Sequence, residues 1–308
     1  MSTAGYRTPR AFQSALMAKT KAEAARSGVA QNDLLQRFFH QCLLARVFHR
    51  SGDDWILKVG QALLVRWPRA RHSRDIDLLH TDDDMSEAVR DLQAAAGTDL
   101  GDPLRYEFRD TKREQADRPA CKVRFAVYLG VKELATVSVD VVVSKGSPYG
   151  EPAEEALRPP VDIDLSAPWP QVRMWPLEDH VADKVAAMYE RHAGDAVSSR
   201  YKDLVDVALI ALASRLDGPA THGALHAEVQ RRHSAGVPLH LPAQFTVPDL
   251  STWRPGYRRQ AVRATDLPEQ YRTIDGVHSL ADHFITPLLN PAVVPGTWVP
   301  DTVRWHAR

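Results

Sequence analysis

The chain is poor in cysteine, has no excess of either charge and contains no long apolar run. Its two cysteines, Cys42 and Cys121, stand in apolar stretches, which indicates reduced packing residues and excludes a disulfide framework or a cysteine-rich zinc site. Lys and Arg together number 39, as do Asp and Glu, so basic patches for nucleic acid can only be local. No segment is long enough to span a membrane and the N-terminus lacks the pattern of a signal peptide, so we expect a cytoplasmic protein without a membrane partner.

The patterns that are present predict an α+β protein, with a mixed sheet and helices on one of its faces. The clearest pattern is residues 134–143, where Val139 and Val141 flank Asp140. Because strand side chains alternate between faces, one face is expected to be buried and the other to carry polar groups. The predicted helices are 12–26, one starting at Asn32 or Asp33, 61–66, and 86–96 with Ser86 as N-cap; the predicted strands are 55–58, 75–79, 104–109, 122–129 and 134–143.

Seven prolines between residues 147 and 176 indicate a domain boundary. We place an N-terminal domain over residues 1–165 and a mainly helical domain over residues 166–308. The second domain is predicted to contain helices at 177–191, 201–216 and 222–233 and to end in a flexible tail.

Asp75 and Asp77 are two residues apart on a predicted strand, so their carboxylates point to the same face. Asp140 stands on a predicted neighbouring strand, and three such carboxylates repel each other unless a cation neutralises them. Hard oxygen ligands favour Mg²⁺ or Mn²⁺, so a metal site is one interpretation and a set of solvated acids is the other. A turn at Gly60 offers backbone N–H groups to phosphate oxygens, and the combination indicates an enzyme that acts on an NTP.

A second group of charged residues lies in the helical half, at Lys184 and at Lys202, Asp203 and Asp206. One interpretation places both lysines on a bound triphosphate, with Asp203 orienting a lysine or accepting the proton of an acceptor hydroxyl. The other interpretation is structural. In that case Lys184 lies along a packed helix face, and Lys202 pairs with Asp206 at the surface.

Four segments, in this order, resemble the AbiEii/AbiGii-type nucleotidyltransferase toxins, which include the MenT group of mycobacterial toxins. The segments are Leu57–Leu63 (LKVGQAL), Arg71–Leu78 (RHSRDIDL), Pro176–Lys184 (PLEDHVADK) and Arg200–Asp206 (RYKDLVD), and the resemblance extends over residues 12–289. It implies a DNA polymerase β-like nucleotidyltransferase core followed by a helical domain. It also implies the toxin of a toxin–antitoxin or abortive-infection pair, with an antitoxin as partner and the tRNA acceptor end as the site of nucleotide addition.

The resemblance assigns roles to residues of these segments. It implies that Asp75 and Asp77 hold metal, that Lys184 contacts the nucleotide, and that Asp203 completes the catalytic site. Gly60 and Ser73 would line the phosphate pocket. The other nucleotide-binding candidates in the same segments are Lys58, Gln61, Arg200 and Lys202.

The chain departs from the family pattern at Val59-Gly60, where two glycines are usual, and at Gln61, where a small hydroxyl residue is usual. A β-branched residue disfavours positive φ, so we expect the Val59 turn to hold phosphate less closely.

Arginines of the helical half alternate with Trp253 and Tyr257, which indicates either a solvated surface or a patch where aromatic rings stack on unpaired RNA bases. Two other functions compete with tRNA modification. The neutral net charge favours a protein or aminoglycoside-like hydroxyl as acceptor, whereas the altered Val59-Gly60 turn favours a nucleotide-binding interaction module without turnover.

Overall fold

The computed structural model describes residues 6, 8–113, 120–143, 148–163, 167–192 and 196–307. The chain divides into two compact units, residues 1–147 with 152–175 and residues 148–151 with 176–308. The domain boundary expected between residues 165 and 166 falls outside the described ranges. Within those ranges, no helix is both long enough and apolar enough to cross a membrane.

The helices of the first unit differ from prediction mainly at their N-termini. Neither Asn32 nor Asp33 is an N-cap, because the second helix already begins at Gln31 and both residues lie in its first turn. Ser86 is not an N-cap either. The Asp84 carboxylate accepts hydrogen bonds from the N–H groups of Ser86 (2.7 Å) and Glu87 (3.3 Å), and so starts the helix two residues earlier. The helices are α1 (Pro9–Ser27), α2 (Gln31–Ser51), α3 (Val59–Arg66) and α4 (Met85–Ala96).

The strands of the first unit form one mixed sheet, which confirms the predicted α+β fold. They are β1 (Trp55–Lys58), β2 (Ile76–His80), β3 (Leu104–Arg113), β4 (Ala120–Leu129), β5 (Lys132–Val143), β6 (Ala153–Ala156) and β7 (Gln171–Met174). Their order in the sheet is β3-β4-β5-β2-β1-β7-β6. β2 is parallel to β5 and β1 is parallel to β7, whereas the other neighbours are antiparallel.

Two of these strands, β6 and β7, lie in the proline-rich stretch, where no strand was predicted. Pro152 and Pro170 each stand directly before a strand, at Ala153 and Gln171, so neither removes a hydrogen bond from the sheet. A proline-rich composition therefore did not exclude strands here, because the prolines stand before and between the strands.

The core of the first unit lies under one face of the sheet. Val137, Val139 and Val141 of β5 are fully buried, and β5 packs against α2 and α4. Between them, Ser138 and Asp140 are only half-buried. The predicted alternation of an apolar and a polar face is thus confirmed, and the polar face is available for chemistry.

The second unit is mainly helical. Its helices are α5 (Leu177–Met188), α6 (Tyr201–Ala213), α7 (Gly218–Ser234), α8 (Leu250–Ala261) and α9 (Ile274–Leu289). Its short strands are β8 (Arg191–His192), β9 (Ala196–Val197), β10 (Leu216–Asp217), β11 (Thr297–Val299) and β12 (Arg304–His306). α5 packs against both α6 and α7.

The prediction of a flexible C-terminal tail is wrong, because residues of the tail form β11 and β12 in a small sheet with β10. β11 pairs with both β10 and β12. The Trp298 side chain is fully buried and its Nε1 donates to the carbonyl of Ala211 at 2.6 Å. The Trp305 ring stacks on Phe284 at 5.4 Å, and these aromatic contacts fix the tail on α9.

Candidate functional site

Two groups of predicted site residues are found, one in each unit. The first lies on the polar face of the sheet, where Asp77 of β2 stands opposite Asp140 of β5. The same row continues in both directions, to Lys58 of β1 beyond Asp77 and to Lys122 of β4 beyond Asp140. Asp75 was predicted to be the first residue of a strand over residues 75–79, but it lies in a bend one position before β2, which begins at Ile76.

Lys122 is the functional candidate that the sequence patterns did not identify. Its Nζ lies 3.0 Å from Asp140 Oδ1, 3.2 Å from Asp140 Oδ2 and 3.4 Å from Asp75 Oδ2. Partial burial acts to lower the pKa of Lys122. The hydrogen bond and charge of Asp140, together with those of Asp75, outweigh this effect and raise the pKa above its usual value. The lysine is therefore a fixed positive charge between two of the three predicted metal ligands.

No group of three or more His, Cys, Asp or Glu side chains in the described residues is arranged to hold a metal ion. The predicted ligands Asp75 and Asp140 are instead joined through the Lys122 ammonium. The distances of 3.0–3.4 Å from Nζ to these oxygens are those of ammonium hydrogen bonds and ion pairs, and are longer than metal–oxygen distances of about 2 Å.

The predicted Gly60 turn is the beginning of α3. Val59 has a φ of 50°, so this β-branched residue does adopt the left-handed conformation that was expected to be unfavourable. A Cβ placed on Gly60 would lie 2.6 Å from the Cβ of Ser73, so only glycine permits this close approach. The structure therefore brings Gly60 and Ser73 together, as the resemblance implies, and retains backbone strain at Val59.

Gln61 lies behind this loop. Its side chain is 1% exposed, and its Nε2 donates to the Ser73 carbonyl at 3.2 Å and lies 2.6 Å from His40 Nδ1. Burial, followed by the neighbouring charge of His72, lowers the pKa of His40 to about 3, so the ring is neutral at physiological pH. His40 was not predicted as a site residue, and its contact with Gln61 supports the loop from the interior.

Lys58 directly precedes α3 and is half-buried, at the end of the row that contains Asp77, Asp140 and Lys122. Its Nζ lies 4.0 Å from the centroid of the Trp175 ring, a cation–π contact. The side chain is thus held near the start of α3 and close to Asp77 in the strand register.

The second group lies in the helical unit, around a lysine that is completely buried. Lys184 Nζ is 2.6 Å from Asp206 Oδ2 and 3.3 Å from Asp203 Oδ1, and all three side chains are 1% exposed. Asp203 Oδ2 also accepts a hydrogen bond from Arg200 Nε at 2.6 Å. The Arg200 side chain is 40% exposed, so the cluster links a buried ion pair to a guanidinium at the surface.

Trp253 and Tyr257 do not form the base-stacking surface that was one of the two interpretations of their pattern. Trp253 and Tyr257 are fully buried, and Trp253 Nε1 donates to the Ser198 carbonyl at 2.8 Å. They are four residues apart on α8 and so lie on one face of the helix, a spacing that fits a buried face as well as an exposed stacking pair. A cavity of about 780 Å³ in the same unit is lined in part by Tyr189 and Leu239 and by none of the predicted site residues.

The chain is similar to known proteins both in sequence and in fold. Residues 42–277 match the family described as nucleotidyl transferase AbiEii toxin, type IV TA system, which is more than half of the chain. Among solved structures, the nucleotidyltransferase toxin MenT4 of Mycobacterium tuberculosis H37Rv is similar with a TM-score of 0.52 and 17% identity, over 81% of this chain and 90% of that chain.

The protein JHP933 of Helicobacter pylori has a TM-score of 0.43 and 13% identity, over 78% of this chain and 90% of its own. No curated protein sequence matches the chain. The likeness to MenT4 shows a shared fold, and the family match shows the class of chemistry and implies an antitoxin partner. The chain belongs to the AbiEii nucleotidyltransferase toxins of type IV toxin–antitoxin systems.

Proposed function

We propose that this toxin transfers a nucleoside monophosphate from an NTP to the 3′ hydroxyl of tRNA, which blocks aminoacylation and hence translation. The observation that supports it best is the row of Asp77 and Asp140 on paired strands, with Asp75 beside it on the polar face. In the reaction, the 3′ hydroxyl gives up its proton to solvent and its oxygen forms a bond with the α-phosphorus. The bond from that phosphorus to the bridging oxygen of the β-phosphate breaks, and pyrophosphate leaves.

Asp75, Asp77 and Asp140 are proposed to hold Mg²⁺ or Mn²⁺. Their carboxylate oxygens are the hard ligands that these ions prefer. The space between Asp75 and Asp140 also accommodates a positive charge, because the Lys122 ammonium lies there. A bound divalent ion supplies the charge that activates the acceptor hydroxyl and stabilises the pyrophosphate.

The triphosphate is proposed to bind at the N-terminus of α3. The first N–H groups of a helix have no partners within the helix, and no side chain of the N-cap residue Lys58 bonds to them. Gly60 has no side chain, so Ser73 packs directly against the start of this helix, and the Lys58 ammonium adds positive charge. Gln61 acts from the interior, through the Ser73 carbonyl.

Arg200 and Lys202 are proposed as the nucleotide contacts of the helical unit, with Lys184 and Asp203 acting through Arg200. The Lys184 side chain is 1% exposed and its ammonium contacts two carboxylates, whereas the Arg200 side chain is 40% exposed and its Nε donates to Asp203. Lys184 and Asp203 are therefore proposed as positioning residues on which transfer depends.

The choice of tRNA as acceptor is supported by positive charge around the first site. Arg69 and Arg74 are exposed, and both lie in the segment that leads to Asp75. Their guanidinium groups suit the phosphates of an RNA acceptor stem, a contact that weakens as salt is added.

The test is incubation of the purified protein with MgCl₂, each α-³²P-labelled NTP in turn, and total RNA. We expect label on a tRNA-sized band with the natural protein and with Asp53→Asn, a matched change of an exposed acid on the same unit. Label is expected to disappear with Asp75→Asn and with EDTA. Label on a protein or a small molecule would refute tRNA as acceptor, and the lack of both label and pyrophosphate release would refute the transfer reaction.

A further inference from the structure

We propose that Lys122 is an internal counter-ion of the metal site, and that its ammonium must leave the space between Asp75 and Asp140 before a divalent ion can bind. The proposal rests on the proposed function, since it assumes that these acids hold metal. It makes Lys122 a positioning residue that sets the metal affinity of the toxin.

The strand order explains how one lysine reaches both acids. Lys122 is on β4, Asp140 is on the neighbouring strand β5, and Asp75 precedes β2 on the far side of β5. The Lys122 side chain therefore crosses the polar face of β5 and places its Nζ within 3.0–3.4 Å of oxygens from both carboxylates. Lys112 of β3 stands opposite Lys122 in register, so like-charge repulsion also favours the side of the acids.

An ammonium and a divalent ion cannot share this position. A metal bound to the same oxygens would lie about 2 Å from them, within the space that Nζ occupies now. Two like charges so close to each other repel strongly, and their oxygen partners are the same. Binding of metal and the Lys122 contacts are thus mutually exclusive, and each weakens the other by the same factor.

The exchange is sterically feasible. The Lys122 side chain is 27% exposed, so the flexible four-carbon chain has a solvent-facing path away from the acids. The strand backbone need not move, because β4 and β5 stay paired on both sides of Lys122.

The experiment measures Mn²⁺ binding by electron paramagnetic resonance of the free ion, with unfolding midpoints in EDTA and in Mn²⁺. Lys122→Met keeps the length of the side chain and removes its charge. We expect its Mn²⁺ dissociation constant to fall by about two- to fivefold, the scale of one competing ion pair at a partly exposed site. Lys122→Arg keeps the charge and is expected to bind as weakly as the natural protein. Lys132→Met, an exposed lysine of β5, is the matched control and is expected to show no change.

The stability readout is independent of the affinity readout. In EDTA, Lys122→Met is expected to unfold at a lower temperature than the natural protein, because Asp75 and Asp140 then lose the Lys122 ammonium, and Mn²⁺ is expected to restore the loss. If Lys122→Met folds only with metal present, that result supports the same exchange.

An unchanged or weaker Mn²⁺ affinity of Lys122→Met, with binding still abolished by Asp75→Asn, would overturn the role of Lys122 and leave the metal site intact. Equal and negligible Mn²⁺ binding by the natural protein, Lys122→Met and Asp75→Asn would overturn both the counter-ion and the proposed metal site.

Discussion

The buried Lys184 ion cluster offers the sharpest test of the helical unit. Lys184→Met removes the ammonium and leaves a side chain of similar length, so the cavity left behind is small. Asp206 Oδ2 then loses an ionic partner at 2.6 Å, and Asp203 loses one at 3.3 Å while keeping Arg200. Both carboxylates are 1% exposed, so water cannot replace the lost ammonium.

The expected cost follows from that burial. Removing one partner of a buried ion pair destabilises a protein by about 3–5 kcal/mol, because an uncompensated charge stays inside. Asp203 keeps its hydrogen bond with Arg200 in this variant, so we expect the free energy of unfolding to fall by the lower part of this range, about 3–4 kcal/mol. With a urea dependence of about 2 kcal/mol per molar, the unfolding midpoint of the helical unit shifts down by about 1.5–2 M.

The assay is urea unfolding followed by tryptophan fluorescence, since Trp253 and Trp298 are buried in this unit. Lys202→Met is the matched control, because Lys202 is only half-buried on the same helical unit, and its cost is expected to stay below about 1 kcal/mol. The double variant Lys184→Met/Asp206→Leu is expected to recover much of the loss, since replacing both partners by apolar groups removes the buried charge.

Two outcomes would refute this reasoning. A loss of less than about 1 kcal/mol for Lys184→Met would mean that the ammonium does not compensate buried charge. A double variant as unstable as the sum of the two single variants would mean that Lys184 and Asp206 do not interact.

Three further results are expected. The free energy of unfolding in urea should be about 1 kcal/mol higher for Val59→Gly than for Val59→Ala. The φ of 50° costs a non-glycine residue about 1–2 kcal/mol, and the lower chain entropy of unfolded Ala compensates only part of this cost. The opposite order would contradict the strained backbone at Val59. Between about pH 6.5 and the His40 pKa of about 3, the unfolded chain binds a proton that the folded chain does not, so the free energy of unfolding should fall as pH falls in this window. His40→Gln should show a weaker fall, and equal pH slopes would exclude His40 as the source. Asp84→Ala should lower the free energy of unfolding, measured by thermal unfolding, by about 1 kcal/mol, whereas Ser86→Ala removes no cap and should lower it little. Equal losses would contradict the assignment of Asp84 as N-cap.

The polar face of the sheet could be predicted because it depends on local alternation. Val139 and Val141 point into the core and Asp140 points out, as the two-residue period of a strand requires. Lys122 could not be found in this way, because its importance depends on the register of β4 against β5. Counting back from the Leu129–Lys132 pair at the turn would place Cys121 opposite Asp140. An irregularity between Val127 and Tyr128 shifts the register and places Lys122 there instead.

The burial of Lys184 and the position of the tail depend on tertiary contacts. The helical pattern around Lys184 fits a lysine at the edge of a packed face, and only its partners on α6 make a fully buried position favourable. The tail has no strong local pattern, and Trp298 is ordered by its contacts with Ala211 and Phe284, which are distant in sequence. Long-range pairing of this kind leaves little signal in a single sequence.

The parallel pairing of β2 with β5 has a consequence for synthesis of the toxin. Asp75 and Asp77 leave the ribosome early, soon after β1 and α3, whereas Lys122 follows with β4 and Asp140 only after both strands of the β3–β4 hairpin have been made. A nascent chain therefore carries its first acids without their partners until β5 emerges and is inserted between β2 and β4. Arg200 and its buried support come later still. The two groups of charged residues are thus completed one after the other during synthesis, the sheet group with β5 and the Lys184 group with α6.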